Sequence, residues 1–412
     1  MQTKLSLGPD TVKNLDKAEE ILRSCVHCGF CNATCPTYQV LGDELDGPRG
    51  RIYQIKSVLE GNEVSRKTQM HLDRCLTCRN CETTCPSGVR YHSLLDIGRE
   101  VVDAQVQRPM RERMLRAALR NVVPNKGLFG SLVAVGSAMR SVLPAALREH
   151  VPQALPARGT APAPRHKRSV VMLDGCVQPV LAPSTNLAAA RVLDRFGISV
   201  QPTPTAGCCG ANEFHLGAPE AAKSRARKNI DAWWPLIEQG AESVVITASG
   251  CGAFVKEYGD LLADDPVYAE RAKQISQRAA DIVEVMADVD WESAQVPALR
   301  EKVAFHCPCT LQHAQKLGGK VEKLLSNLGA DMQPVPDGHL CCGSAGSYSI
   351  TQPELSRELR DRKIQALETH KPEVIATANI GCQMHLGAAA NTPVRHWIEL
   401  VDEAFESADA KQ

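Results

Sequence analysis

Two short cysteine runs constrain this chain more than anything else in it. Cys25, Cys28, Cys31 and Cys35 are followed by Pro36, and Cys75, Cys78, Cys81 and Cys85 by Pro86. Both runs read C-x2-C-x2-C-x3-C-P, and the second lies 50 positions after the first. A [4Fe-4S] cubane needs four thiolates converging on its iron corners, and this spacing delivers them. Three cysteines two residues apart wrap one loop around three corners. The fourth begins the next segment and reaches the neighbouring cluster when two runs pack together. The spacing therefore predicts two [4Fe-4S] clusters with exchanged ligands. Cys25, Cys28, Cys31 and Cys85 would hold cluster 1; Cys75, Cys78, Cys81 and Cys35 would hold cluster 2. Each proline is expected to turn the chain after the fourth ligand, because it fixes φ and removes a donor. Zinc is the weaker reading, since its four-ligand sites are commonly built as two pairs. A disulfide framework is disfavoured because nothing marks the chain as secreted.

At 412 residues the chain has room for two or three domains. Acidic and basic residues balance at 47 each, so no charge bias points to nucleic acid. Seventeen cysteines without a signal-peptide stretch in residues 1–10 imply reduced thiols, metal ligands and a cytoplasmic setting. No segment reaches the ~18 apolar residues of a membrane span, so any membrane association is expected to be peripheral, through a surface helix or a partner. There is no Walker phosphate loop and no G-x-G-x-x-G after a strand. A flavin or nicotinamide is therefore expected on another polypeptide.

Taken in order, residues 12–24 read as an amphipathic helix delivering the first run, with Leu15, Ala18, Ile21 and Leu22 on one face. Residues 42–50 read as a Gly/Asp/Pro loop, and helices are expected over 51–60 and 65–74. The result is a small α-helical two-cluster domain of ferredoxin type over 1–100. Arg49, Arg51, Arg74, Arg79 and Arg90 lie near the runs, either to offset cluster charge, to dock an acidic partner, or as plain surface residues. Residues 94–121 read as helical. Residues 128–149 are the most apolar stretch, read as a buried connector, a partner-docking face or an interfacial helix. Membrane contact is the least favoured of these, because polar-face lysines are missing. Residues 152–164 are a Pro/Ala linker closing a connector over 101–168.

From residue 169 one pattern occurs twice. The first copy has strands over 170–173, 199–202 and 243–247, a helix over 186–196, and cysteines at Cys176, Cys208, Cys209 and Cys251. The second has strands over 303–306 and 373–377, helices over 312–328 and 353–367, and Cys309, Cys341, Cys342 and Cys382. Cys176 to Cys309, Cys208 to Cys341 and Cys209 to Cys342 are each 133 apart, and Cys251 to Cys382 is 131. This register pairs Cys176 with Cys309 and not with Cys307. It predicts two similar α/β units, 169–290 and 291–412, related by a pseudo-twofold and built on small, mostly parallel sheets. Each carries a Cys-Cys-Gly turn at the strand ends where ligands of open α/β sheets bind. Two vicinal thiolates suit a site with several irons. These eight cysteines are candidates for a further iron–sulfur or redox centre, the alternative being buried structural cysteines.

These motifs carry a resemblance. Two C-x2-C-x2-C-x3-C-P runs followed by two Cys-Cys-Gly units resemble the iron–sulfur subunits of flavin-linked hydroxyacid dehydrogenases. That family takes in lactate-utilisation proteins, the third subunit of anaerobic glycerol-3-phosphate dehydrogenase and, more distantly, heterodisulfide reductase. The phrases SCVHCGFCNATCPTYQVLGDELDGPRGRIY, DRCLTCRNCETTCPSGVRYH, TASGCGAFVKEYG, FHCPCTLQHAQKLGG and HLCCGSAGSY are most similar to the iron–sulfur subunits of glycolate oxidase. The resemblance implies an electron-transfer subunit of a glycolate dehydrogenase complex, inactive alone and without catalytic residues of its own. Its implied partners are an FAD-containing subunit that oxidises glycolate to glyoxylate, a related third subunit, and a quinone acceptor at the cytoplasmic face of the inner membrane. Sibling complexes acting on lactate or glycerol 3-phosphate, and a thiol–disulfide enzyme, are the rivals. Heterodisulfide reductases end each unit in C-x2-C, where this chain has Phe254 and His385. A five-thiol site is thus incomplete, leaving a centre of another form, with His385 or Cys307 contributing, or one loaded unit.

Overall fold

The computed structural model describes all residues except 9–11, 13, 143, 145–150, 292–296 and 410–412. Its N-terminal part is helical. Helix Leu15–Ser24 buries Ala18, Ile21 and Leu22, and begins three residues later than the apolar periodicity suggests. Helix Pro48–Leu59 begins earlier than expected, at Pro48, because the first turn has no use for the missing N–H. It buries Ile52, Ile55, Val58 and Leu59. Helix Arg66–Asp73 is capped by Ser65, whose side chain accepts from the Thr68 N–H at 3.2 Å. Helix Tyr91–Gln105 closes this core with Leu94, Leu95, Val101 and Val102.

The stretch expected to be helical over 94–121 divides in two. Helices Tyr91–Gln105 and Met110–Val122 are separated just before Met110 by Pro109, which restricts the residue preceding it to extended backbone. The most apolar stretch forms helix Lys126–Ala138. Val133 is buried beside Leu181 and Ala182, while Leu128, Leu132, Val135 and Met139 stay exposed. Residues 143 and 145–149 of that stretch lie outside the described residues. No helix of the described residues is long and apolar enough to cross a membrane.

The rest of the chain is built on two four-stranded sheets. In the first, β1 (Arg168–Met172), β2 (Ile198–Gln201), β3 (Val244–Ile246) and β4 (Ala279–Asp281) lie in the order β2-β1-β3-β4. In the second, β5 (Lys302–His306), β6 (Asp331–Gln333), β7 (Val374–Thr377) and β8 (Val394–His396) lie in the order β6-β5-β7-β8. Every pairing is parallel and the two orders are equivalent, so the duplication read from cysteine spacing is a duplication of fold. The outer strands β4, β6 and β8 were not expected. Nor is 312–328 one helix: a π turn, Thr310–Ala314, is separated by Gly318 and Gly319 from helix Lys320–Asn327. Gly319 takes φ +82°, which ends any continuous helix at that point.

The two sheet units share a core, joined through helices Ser184–Arg195 and Trp397–Asp409. Arg191 Nε sits 3.1 Å from a carboxylate oxygen of Asp402, Thr185 pairs with Glu399, and His396 Nε2 lies 2.9 Å from the Thr247 carbonyl. The helical module rests mainly on the second unit. Tyr348 Oη donates to the Arg74 carbonyl at 3.0 Å, Asn80 Nδ2 to the His339 carbonyl at 3.2 Å, and Thr83 Oγ1 lies 3.1 Å from His313 Nδ1. Arg79 of the same loop reaches across to Glu257 of the first unit, joined there by His92, and Lys17 of the first helix pairs with Asp260 at 3.6 Å.

The glycine of each Cys-Cys-Gly turn is dictated by backbone geometry. Gly210 takes φ +96° and Gly343 φ +85°, in the left-handed region that L-residues avoid. A Cβ on Gly210 would sit 3.0 Å from the Ala222 carbonyl oxygen; on Gly343 it would sit 2.5 Å from that of Ser356. Gly210→Ala is expected to cost about 1–2 kcal/mol for the left-handed backbone alone. Gly343→Ala should cost more, because a backbone oxygen must also move. Thermal unfolding midpoints of the two variants, compared with the parent chain, check both the sign and the order.

Candidate metal centres

The two N-terminal runs adopt one loop shape. In the first, His27 (φ 60°) and Gly29 (φ 86°) are left-handed; in the second, so are Thr77 (φ 54°) and Arg79 (φ 60°), each 50 positions later. The third cysteine of each run rides on a short helix, Phe30–Ala33 or Asn80–Thr84. Pro36 starts helix Pro36–Leu41 directly after Cys35, whereas Pro86 sits in a turn closed by the Gly88 N–H to the Cys85 carbonyl at 3.2 Å. Thr34 Oγ1 and Thr84 Oγ1, equivalent residues, touch at 3.0 Å, which marks the local twofold between the runs.

Two hollows lie on either side of that axis. One is lined by Cys25, Cys28 and Cys31 of the first run together with Cys81 and Cys85 of the second. The other is lined by Cys75, Cys78 and Cys81 with Cys35. No carboxylate lines either hollow. Cysteine sulfur dominates the donors, beside one imidazole in each hollow, His27 and His92, and soft sulfur is the chemistry that selects iron–sulfur clusters or zinc. Burial pushes the Cys31 thiol up to about 11, with the neighbouring Cys25 and Cys85 sulfurs adding to it, and also pushes Cys78 and Cys81 well above the usual thiol range. Crowded, desolvated thiols of this kind become thiolates only against positive charge, which is what iron would bring. The residues fit two four-thiolate clusters.

One cation is already there. The Arg51 guanidinium is fully buried on the wall of the second hollow. Its Nε donates to the His71 carbonyl at 2.7 Å and its Nη1 to Thr37 Oγ1 at 3.1 Å. Its Nη2 faces Asp46 Oδ1 at 3.4 Å. Thr37 Oγ1 in turn lies 3.3 Å from Cys35 Sγ. The other arginines near the runs have partners within the chain: Arg49 with Glu44, Arg74 with Asp46, Arg79 with Glu257 and Arg90 with Glu20.

In the first sheet unit Cys176, Cys208, Cys209 and Cys251 gather. Cys208 is held well below the usual thiol range by hydrogen bonds from Cys176 and Cys209, whose own thiols are pushed up by the same contacts. The Gly210 N–H adds a bond to Cys208 Sγ at 3.5 Å. Tyr258 Oη and Asn229 Nδ2 pin the Cys209 and Cys208 carbonyls at 2.6 and 3.0 Å. In the second unit Cys309 Sγ lies 3.9 Å from Cys341 Sγ, and the Gly343 N–H points at Cys341 Sγ at 3.4 Å. Asn379 Nδ2 reaches Cys382 Sγ at 3.5 Å, while its Oδ1 accepts from the Gly250 N–H of the first unit at 3.2 Å. Cys78 of the second hollow packs in one cluster with Cys309 and Cys341.

Two residues considered as replacement ligands do not join the thiols. Cys307 packs into the shared apolar core. His385 turns to helix Pro353–Glu368, its Nε2 3.1 Å from Ser356 Oγ; burial lowers its pKa to about 4. A residue not singled out from the sequence takes that place. A ring nitrogen of His306, Cys342 Sγ and Cys382 Sγ lie within 4.8 Å of one another. The signal was available in the duplication, since the position 133 earlier is Leu173, an apolar residue.

Fold and donor sets together define a helical 4Fe-4S dicluster module joined to a duplicated cysteine-rich α/β unit. Family comparisons describe the same parts: a 4Fe-4S dicluster domain over residues 21–89, and a cysteine-rich domain over 170–256 and again over 303–387. The glycolate oxidase iron-sulfur subunit of Escherichia coli (strain K12) is 60% identical over 98% of this chain and 100% of its own length. The probable glycolate oxidase iron-sulfur subunit of Bacillus subtilis (strain 168) is 33% identical over 91% of this chain and 90% of its own. Lactate utilization protein A of Bacillus pumilus (strain SAFR-032) is 27% identical over 52% of this chain. The chain belongs to the family of glycolate oxidase iron–sulfur subunits.

Arg51→Met removes the guanidinium and leaves buried Asp46 with His71 and Arg74. Breaking a buried pair from one side costs about 3–5 kcal/mol, and the low end is expected because Arg74 remains. The thermal midpoint of the iron-loaded chain measures it, and Arg90→Met, on the surface, should leave the midpoint unmoved.

Proposed function

We propose that this chain is the electron-transfer subunit of a glycolate-oxidising complex, working beside an FAD-containing subunit and a related third subunit. Oxidation of glycolate to glyoxylate on the flavoprotein releases two electrons and two protons; the electrons then travel singly through this chain towards a quinone. Iron–sulfur clusters supply one-electron acceptors whose potentials answer to burial and hydrogen bonding.

The observation that carries this reading is the lining of the two N-terminal hollows, where Cys81 and Cys85 stand with Cys25, Cys28 and Cys31, and Cys35 stands with Cys75, Cys78 and Cys81, which supports exchanged ligands. Cys25, Cys28, Cys31 and Cys85 hold one cluster; Cys75, Cys78, Cys81 and Cys35 hold the other. Because Cys35 and Cys85 each cross the local twofold, the two clusters are close neighbours, which suits rapid transfer between them. The route continues into the second cysteine-rich unit, because Cys78 packs against Cys309 and Cys341. Arg51 and Thr37 set the electrostatics of the second cluster. The chain's own role is to hold, space and desolvate the carriers; substrate chemistry stays with the flavoprotein. The 60% identity to the Escherichia coli subunit favours glycolate over lactate as the substrate of the complex.

The test is the tagged full-length chain purified without oxygen. It should be brown, carry at least about eight irons, the load of two four-iron clusters, bring a flavoprotein down with it, and oxidise no glycolate when stripped of that partner. A colourless chain low in iron, or one fully active alone, overturns the reading. Cys35→Ser should abolish the EPR signal of the cluster held by the second run and spare the other; Cys85→Ser should do the reverse. Loss confined to each serine's own run would mean that ligation is not exchanged.

A further inference from the structure

His306 is anomalous among the buried histidines. Its ring is 2% exposed, and neither nitrogen has a hydrogen-bond partner. The other buried histidines each have one: His71 pairs with Asp46, His313 with the His339 carbonyl, and His396 with the Thr247 carbonyl. A buried imidazole with both nitrogens idle costs free energy that native structures rarely leave uncompensated. The ring stands at the end of β5, at the mouth of the second cysteine-rich unit, with a nitrogen within 4.8 Å of both Cys342 Sγ and Cys382 Sγ. Its register partner on β7 is Thr377, on the same face of the sheet, and Thr377 Oγ1 is also buried without a partner. Two orphaned polar groups beside two converging thiols have the donor chemistry of a metal centre.

The first unit lacks this arrangement. Leu173 stands where His306 does and packs into the apolar core of that unit. The duplicated sites are therefore chemically unequal: four thiols in one, four thiols and an imidazole in the other.

We propose that His306 supplies a nitrogen ligand, beside Cys342 and Cys382, to an iron–sulfur centre of the second cysteine-rich unit, with Cys309 and Cys341 completing its thiol shell. This rests on the electron-transfer reading above. An imidazole as fifth ligand, where a fifth thiolate would otherwise complete the shell, leaves such a centre with one negative charge fewer and a higher reduction potential. Set next to Cys78, the centre is an electron sink for the cluster held by the second run. One electron leaves that cluster, one reduces the centre, and no bond is made or broken.

The experiment uses the full-length chain, purified anaerobically with whatever subunits accompany it, as the parent and as His306→Leu and His306→Cys. Iron, zinc and acid-labile sulfide are counted, and the reduced protein is examined by pulsed EPR for strongly coupled ¹⁴N and by redox titration. The parent should hold iron beyond the two N-terminal clusters and show a nitrogen-coupled signal. His306→Leu should lose that signal and the extra iron while keeping both N-terminal cluster signals, which also shows that it folds. His306→Cys should regain the iron without nitrogen coupling and titrate at a lower potential. The inference is overturned by an extra centre with no nitrogen coupling, by His306→Leu leaving iron and signal unchanged, or by stoichiometric zinc in place of the extra iron. Any of these leaves the electron-transfer reading intact, because that reading fails on other grounds: the two N-terminal cluster signals missing, or full activity of the chain alone.

Discussion

Sulfur atoms from segments far apart in sequence converge at a few buried points, and the rest of the structure is arranged to make that convergence tolerable. Thiols crowded away from water repel as soon as they ionise. The chain answers with backbone N–H groups aimed at sulfur, as at Gly210 and Gly343, and with one buried guanidinium, Arg51, beside the second hollow. The left-handed residues of the cysteine loops, the short helices carrying the third cysteine, and the glycine of each Cys-Cys-Gly turn are local solutions to the same problem of aiming sulfur inward.

Much of this was legible in the residues. The C-x2-C-x2-C-x3-C-P spacing leaves the loop few shapes, and both copies take the same one. The 133-residue register separates Cys309 from Cys307, and the structure holds them apart: Cys309 beside Cys341, Cys307 in the apolar core. The duplication likewise follows from cysteine arithmetic, because two units with equal sheet order must repeat their loop positions.

What was not legible is equally physical. Strands β4 and β6 read Ala-Ala-Asp and Asp-Met-Gln, three residues each with no β-branched side chain. They are strands because a neighbouring edge offers hydrogen bonds, a tertiary effect that local propensity does not carry. The helix expected over 312–328 is broken by two adjacent glycines, Gly318 and Gly319. His306 was passed over because a histidine at the end of an apolar strand looks like any other; the duplication sets it against Leu173, but its lack of partners shows only in the fold.

Arg79 carries a consequence of its own. It occupies the slot that Gly29 fills in the first run, at φ 60°, a conformation a glycine would adopt without strain. The second loop accepts that strain and gains a side chain long enough to clasp Glu257 on the far unit. A position that in one copy lets the chain bend and leaves room for the Arg49 guanidinium is, in the other, a fastener between modules. Repeated architecture lets such trades occur, because the original shape survives in the sister loop while its twin is free to take on mechanical work.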